Sequence, residues 1–306
     1  MGEADDRFEA IVEVLRILGL FMAVAPWKVF SFQGEDVIID VDGGISHKGI
    51  TAHPFPCEIT NAVWCNAGLV ATWVDHELRL ARMALIDFQN ELEEGISRSE
   101  LRLRNDNVKV AGSSWSHSLD AEPIAMVSNG NYIIFALYTR GVYCIDVDST
   151  ELWRQPLIGS EESKIPNSNS IAEITVDDEI VTIWTRGGRY RTLSVNTGDV
   201  LAEKSLPVEC DIESVFSSHD RFLISSKDGW VWELIDDNIT VARKLRGTIQ
   251  DAIYHDDEWR IISWREDILL SNQETVLRDE LGIQVVIEDD KCIVIDNQGV
   301  KTPHMG

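Results

Sequence analysis

Four cations sit at matching points along the chain, each in a short turn. They are Arg140 in Thr139-Arg140-Gly141, Arg186 in Thr185-Arg186-Gly187, Lys227 in Ser226-Lys227-Asp228-Gly229 and Arg265 in Trp264-Arg265-Glu266. Three of the four are Arg, whose planar fork grips a carboxylate or phosphate through two parallel hydrogen bonds. Arg98, Arg102 and Arg104 form a second group, in a stretch that Ser97 and Glu100 mark as a capped helix. A second chemistry is offered by Glu173, Glu213 and Asp251, carboxylates near the starts of apolar runs. Clustered carboxylates shift one another's pKa, as general acids and bases do. A third is offered by His219-Asp220 and His255-Asp256-Asp257, where imidazole and carboxylate together suit a divalent ion. Polar residues at fixed turn positions explain those histidines equally well, and no metal is expected. The chain has no phosphate-cradling Gly-rich loop, no G-x-S-x-G elbow and no H-E-x-x-H pair.

The elements that must position these residues repeat. An Ile followed three residues later by an aliphatic or Ala opens a strand at Ile59/Ala62, Ile124/Val127, Ile171/Ile174, Ile212/Val215, Ile249/Ala252 and Ile283/Val286. Each copy runs into a polar turn, such as Asp177-Asp178-Glu179 or His255-Asp256-Asp257-Glu258, and then into a strongly β-forming strand. A third strand follows, usually after a Gly-containing turn, and often a shorter fourth. Lys28–Phe32, Val37–Val41 and Gly43–Ser46 keep this order without the Ile, which makes seven copies. Four-stranded units repeating every 35–45 residues or so indicate an all-β, seven-bladed β-propeller. A β-sandwich with a second domain also has short, regularly spaced strands, but it does not explain the recurring turn chemistry.

Residues 26–306 are assigned to the ring, with an insertion at 89–118 between blades two and three. Residues 1–25 are expected to form a short amphipathic N-terminal helix, or to close the ring as a strand. Their acidic start argues against a secretory leader.

Gly141–Asp146 with Ser149-Thr150-Glu151-Leu152-Trp153-Arg154 resembles a repeat of the PQQ-like propellers, and Gly188–Leu193 with Asn196-Thr197-Gly198-Asp199 is a second, looser match. The Gly-His and Trp-Asp marks of WD repeats are missing, so the resemblance to WD-repeat propellers is one of strand order alone. Quinone enzymes built on this repeat carry adjacent cysteines. This chain has none, so no cofactor is expected. The resemblance implies a non-catalytic scaffold.

In a propeller, turns between first and second strands lie on one face and turns between second and third strands on the other. The first set collects acids. The second carries the cations Arg140, Arg186, Lys227 and Arg265 over blades three to six, with Asp296, Asp42 and Asp75 on the remaining blades. The net charge of −25 argues against nucleic acid and anionic membranes as partners. It is also what adaptation to high salt would produce. Five cysteines without a C-x-x-C pair fit a reducing, cytoplasmic setting. The reading is therefore a non-enzymatic binding scaffold, alone or within a larger complex. Its basic arc, assisted by Arg98, Arg102 and Arg104, would receive an acidic segment of a partner protein. The alternative is an enzyme with a carboxylate or metal site at the channel mouth, acting on a small anionic or carbohydrate substrate.

Overall fold

The computed structural model describes residues 24–104, 108–159, 164–271 and 274–305. It shows seven antiparallel sheets, six of four strands and a seventh with three strands among the described residues. Blade one is Pro26–Phe32, Glu35–Asp40, Ile45–His47 and Ile50–Ala52. Blade four is Ile171–Asp177, Ile180–Thr185, Arg189–Ser194 and Val200–Ser205. Blade seven is Gly282–Glu288, Lys291–Asp296 and Lys301–Pro303. The first strands of neighbouring blades lie against one another and line the axis. The chain is a seven-bladed β-propeller, as the repeats require. The expected N-terminal helix or closing strand falls, up to residue 23, outside the described residues.

Burial follows position within a blade. Second strands are covered on both faces by neighbouring blades and are apolar nearly throughout, as in Tyr132–Leu137 and Ile180–Thr185. Outer strands touch water, so Asn238–Lys244 alternates between exposed and half-buried residues. The core is divided into interblade layers. Trp184, Ile212, Ile224 and Trp232 fill the layer between blades four and five, and Leu223, Trp259 and Ile261 the next.

The first strands explain the Ile motif. In a flat strand, residues three apart face opposite sides. Here the register breaks just after the strand starts, at Ile59/Asn61, Ile171/Glu173, Ile212/Ser214 and Ile249/Asp251. One extra residue at the bulge returns positions three apart to the same side, so Ile171 and Ile174 are both buried. In blades three and seven the equivalent pairs are Pro123/Met126 and Gly282/Val285, one residue before the expected Ile124/Val127 and Ile283/Val286.

The acids of the first-to-second turns also have a backbone cause. Asp178, Asp256, Asp257, Asp289 and Asp290 all have positive φ, between 43° and 60°. Tight hairpin turns require this conformation, and Asp adopts it more readily than most residues.

The insertion lies elsewhere than expected. Ser113–Leu119 is the fourth strand of blade two, pairing with Leu80–Ile86. The excursion 87–112 therefore joins the third and fourth strands of one blade, not blades two and three. It folds back over blades one and two, where Leu92, Ile96, Leu101 and Val110 pack against the layer containing Trp64 and Phe88. Gly95 donates to the His53 carbonyl, and the His53 N–H donates to Glu94.

Candidate binding surface

The excursion carries the helix Arg98–Leu103, begun by the expected capping box. Ser97 Oγ accepts from Glu100 N–H, and Glu100 accepts from Ser97 N–H at 2.8 Å. The helix is thereby set against the second-to-third turn of blade two. Arg98 Nε donates to Asp75 Oδ2 at 2.9 Å, and Arg102 pairs with Glu77. The Asp75 side chain is wholly buried and also accepts the N–H groups of Glu77 and Leu78. Burial pushes its carboxyl up, but the Leu78 N–H, Arg98 and the Glu77 N–H hold it below its ordinary value. Beside it, burial and then the Asp75 charge push the Cys57 thiol up to about 11. Arg98 and Arg102 are thus engaged in fixing the excursion, while Arg104 follows the helix as an exposed C-cap.

The four arc residues also divide. Arg186 is held by both oxygens of Asp211, at 2.9 and 2.8 Å, in the connection to blade five. That contact holds its guanidinium in the charged form. Lys227 lies 3.8 Å from the same carboxylate. Asp211 therefore neutralises much of the arc's centre. Arg140 and Arg265 are exposed, with no side-chain hydrogen bond or ion pair to any described residue. The carboxylates Asp40 and Asp296 elsewhere on this face accept turn N–H groups, as Asp75 does.

The axial channel assembles a group that the sequence showed only in part. Lys28, Asn61, Glu173, Ser214, Asp251 and Gln284 occupy the same position after the bulge in six blades. Lys28 Nζ donates to the Ala62 carbonyl at 2.8 Å. Asp251 accepts from Ala252 and Val285 N–H, and Glu173 from Ile174 N–H. Burial raises Glu173 to about 7 and Asp251 to about 6, and Lys28 opposes both shifts. Burial lowers Lys28 in turn. Glu213 does not join them. It is the extra residue of its bulge and is exposed. Lys28 was missed because blade one lacks the Ile motif that fixes register elsewhere.

The histidine groups do not converge. His255 sits near Asp256 and Asp290, and no set of three metal-ligating side chains gathers among the described residues.

No family model and no curated protein matches the chain. Its fold is similar to several solved propellers. The WD40 beta propeller domain of Doa1 superposes with a TM-score of 0.64 at 6% identity, covering 91% of this chain and 92% of that one. The beta-propeller domain of Cps50 (Swd1) from Myceliophteria thermophila gives 0.64 at 11%, covering 91% and 95%. BamB from Moraxella catarrhalis gives 0.57 at 11%, covering 90% and 92%. The chain shares the β-propeller architecture of these structures. At these identities the likeness concerns fold alone.

Proposed function

We propose that this propeller is a non-enzymatic scaffold whose second-to-third-turn face receives an acidic segment of a partner protein. The observation that carries this reading is the state of Arg140 and Arg265. Both are exposed and unpaired among the described residues, at equivalent turns of the ring, in a chain whose net charge is −25. Loops on one face of a stable ring are common binding positions. The two faces lie a blade's length apart, beyond the ~8 Å screening length at physiological salt, so acids on the far face do not cancel these cations. Arg186 and Lys227 sit between the two and lend charge that Asp211 reduces. Neither nucleic acid nor membrane is part of the reading. No helix among the described residues is long and apolar enough to cross a bilayer. The five cysteines are free, which supports a reducing, cytoplasmic setting.

The test is the pair Arg140→Glu and Arg265→Glu in one chain, with folding checked by circular dichroism. Partners captured by the wild type should be lost by the double variant, and the wild type should hold them more tightly in dilute salt. An unchanged set of partners would sink the reading.

A second reading rests on the channel group Lys28, Glu173 and Asp251, which offers an acid and a base near neutral pH. Turnover in a substrate screen, abolished by Asp251→Asn, would favour an enzyme.

A further inference from the structure

Charge on the second-to-third-turn face is least neutralised where blades five and six meet. Blade five ends in Asn238–Lys244, and the chain crosses to blade six through Leu245, Arg246 and Gly247. Blade six contributes the turn Trp264-Arg265 and its outermost strand, Thr275–Leu277. Two hollows of about 390 and 470 Å³ lie between these segments and share Arg246, Glu266 and Leu277. Together they form one groove.

Its lining has two characters. Arg243, Lys244, Arg246, Arg265 and Arg278 bring five cations. Some are already engaged. Arg278 is paired with the buried Asp267, Lys244 lies against Asp228, and Arg243 donates to the Leu269 carbonyl and Thr275 Oγ1. Among the described residues Arg246 reaches Glu266 alone, at 3.3 Å, with 83% of its side chain exposed. Arg265 reaches no described carboxylate. Of these two exposed cations one has a carboxylate partner and the other none among the described residues, in a chain that carries almost two acids per base.

The second character is apolar. Trp264 is 67% exposed and Leu277 70% exposed. Trp264 also holds φ at +49°, a conformation that disfavours a bulky side chain. Blades four and five place Gly188 and Gly229 at positive φ in the same connection. A Trp that is both strained and solvated contributes nothing to the core, whereas an exposed Trp beside Arg is the composition of interface anchors.

We propose that this groove seats the acidic partner segment, with one apolar side chain of the segment packed on Trp264 and Leu277 and its carboxylates on Arg246 and Arg265. The inference rests on the scaffold reading above and narrows the arc to one end. Charge complementarity selects the occupant. A nucleic-acid strand presents phosphates at regular intervals and needs a run of free cations. The groove offers two, bordered by Asp228, Glu266 and Asp267. A short peptide with one or two carboxylates and an apolar anchor matches that count.

The test uses the full chain and a displayed library of random 12-residue peptides, followed by fluorescence anisotropy with synthetic, fluorescein-labelled copies of the enriched sequences. The expected peptides carry net negative charge and an aromatic or large aliphatic residue. Trp264→Ala and the pair Arg246→Glu/Arg265→Glu should each weaken their binding about tenfold or more. Lys291→Glu, an exposed cation at the first-to-second-turn end of blade seven on the opposite face, should change it less than about twofold. All four altered residues are exposed, and circular dichroism confirms the fold of each variant. Acidic peptides that bind the groove variants as tightly as wild type would overturn the groove while leaving the scaffold reading standing. A selection without acidic enrichment would overturn both. Groove-dependent binding of a labelled oligothymidylate in place of peptide would overturn the assignment of the occupant.

Discussion

Glu173 shows how a single side chain records its place in the ring. It lies on the channel wall, faced by Lys28 and Asp251 and by the polar Asn61, Ser214 and Gln284, and burial raises it to about 7. Unfolded, it titrates near 4.5. Below that value it is protonated in both states and costs nothing. As pH rises from there through about 7, the unfolded chain releases the proton first, so this group makes the fold progressively less stable. Glu173→Gln should therefore leave stability unchanged near pH 4 and raise it by about 3 kcal/mol at pH 8. Urea unfolding of both chains at the two pH values measures this, and an equal difference at both would remove the titration argument. The sequence revealed this residue and Asp251 but grouped Glu213 with them. Adjacent residues on a bulged strand do not share a side by simple alternation, and only the register shows which one faces the axis. The groove residue Arg246 was equally hidden, since its neighbours Trp264 and Leu277 come from another blade.

The same limit operates at the scale of elements. Second strands and their turns were legible because burial on both faces and positive φ each leave a strong residue preference. The fourth strand of blade two, Ser113–Leu119, reads SSWSHSL and is mostly exposed or half-buried. It carries no apolar pattern, so it merged with the excursion before it, and the insertion was displaced by one strand. The capping box survived because it is local. What positions that helix is Asp75, which gathers Arg98, Glu77 N–H and Leu78 N–H around a side chain with no access to water. Asp75→Ala would leave three donors without their acceptor, one of them charged. A loss of about 3 kcal/mol is expected. Limited proteolysis should then cut within 87–112 before any other segment. Global destabilisation without that early cut would mean that Asp75 holds the turn alone and not the excursion.

At the scale of the whole molecule, a propeller must close, and the closing seam need not resemble the others. Hydrophobic layers join the blades in order from one to seven, the last containing Ile262, Val285 and Val294 between blades six and seven. Between seven and one, no such layer is formed among the described residues, and polar contacts cross the seam. Gln284 accepts from the Val29 N–H at 2.8 Å and donates to the Val29 carbonyl at 2.9 Å, as a strand neighbour would. Lys301 bridges Asp36 and Glu288, at 2.7 and 2.6 Å. Burial lowers the Lys301 ammonium, but both carboxylates outweigh it and keep the charge on. A seam without a hydrophobic layer among the described residues is the natural place for the ring to open first. Gln284→Leu keeps the volume and removes both hydrogen bonds, leaving the N–H and carbonyl of Val29 without these partners. The expected cost is about 2 kcal/mol. Its location is the sharper test. Amide exchange should quicken in Pro26–Phe32 and Gly282–Glu288 and stay unchanged in Tyr132–Leu137 and Ile180–Thr185, which lie inside hydrophobic layers. Uniform quickening would show that the ring unfolds as one unit and that the seam is no weaker than the layers. Local quickening would place the adjustable part of the scaffold two blades round the ring from the groove between blades five and six, so a partner seated there would rest on a hydrophobic layer that stays closed.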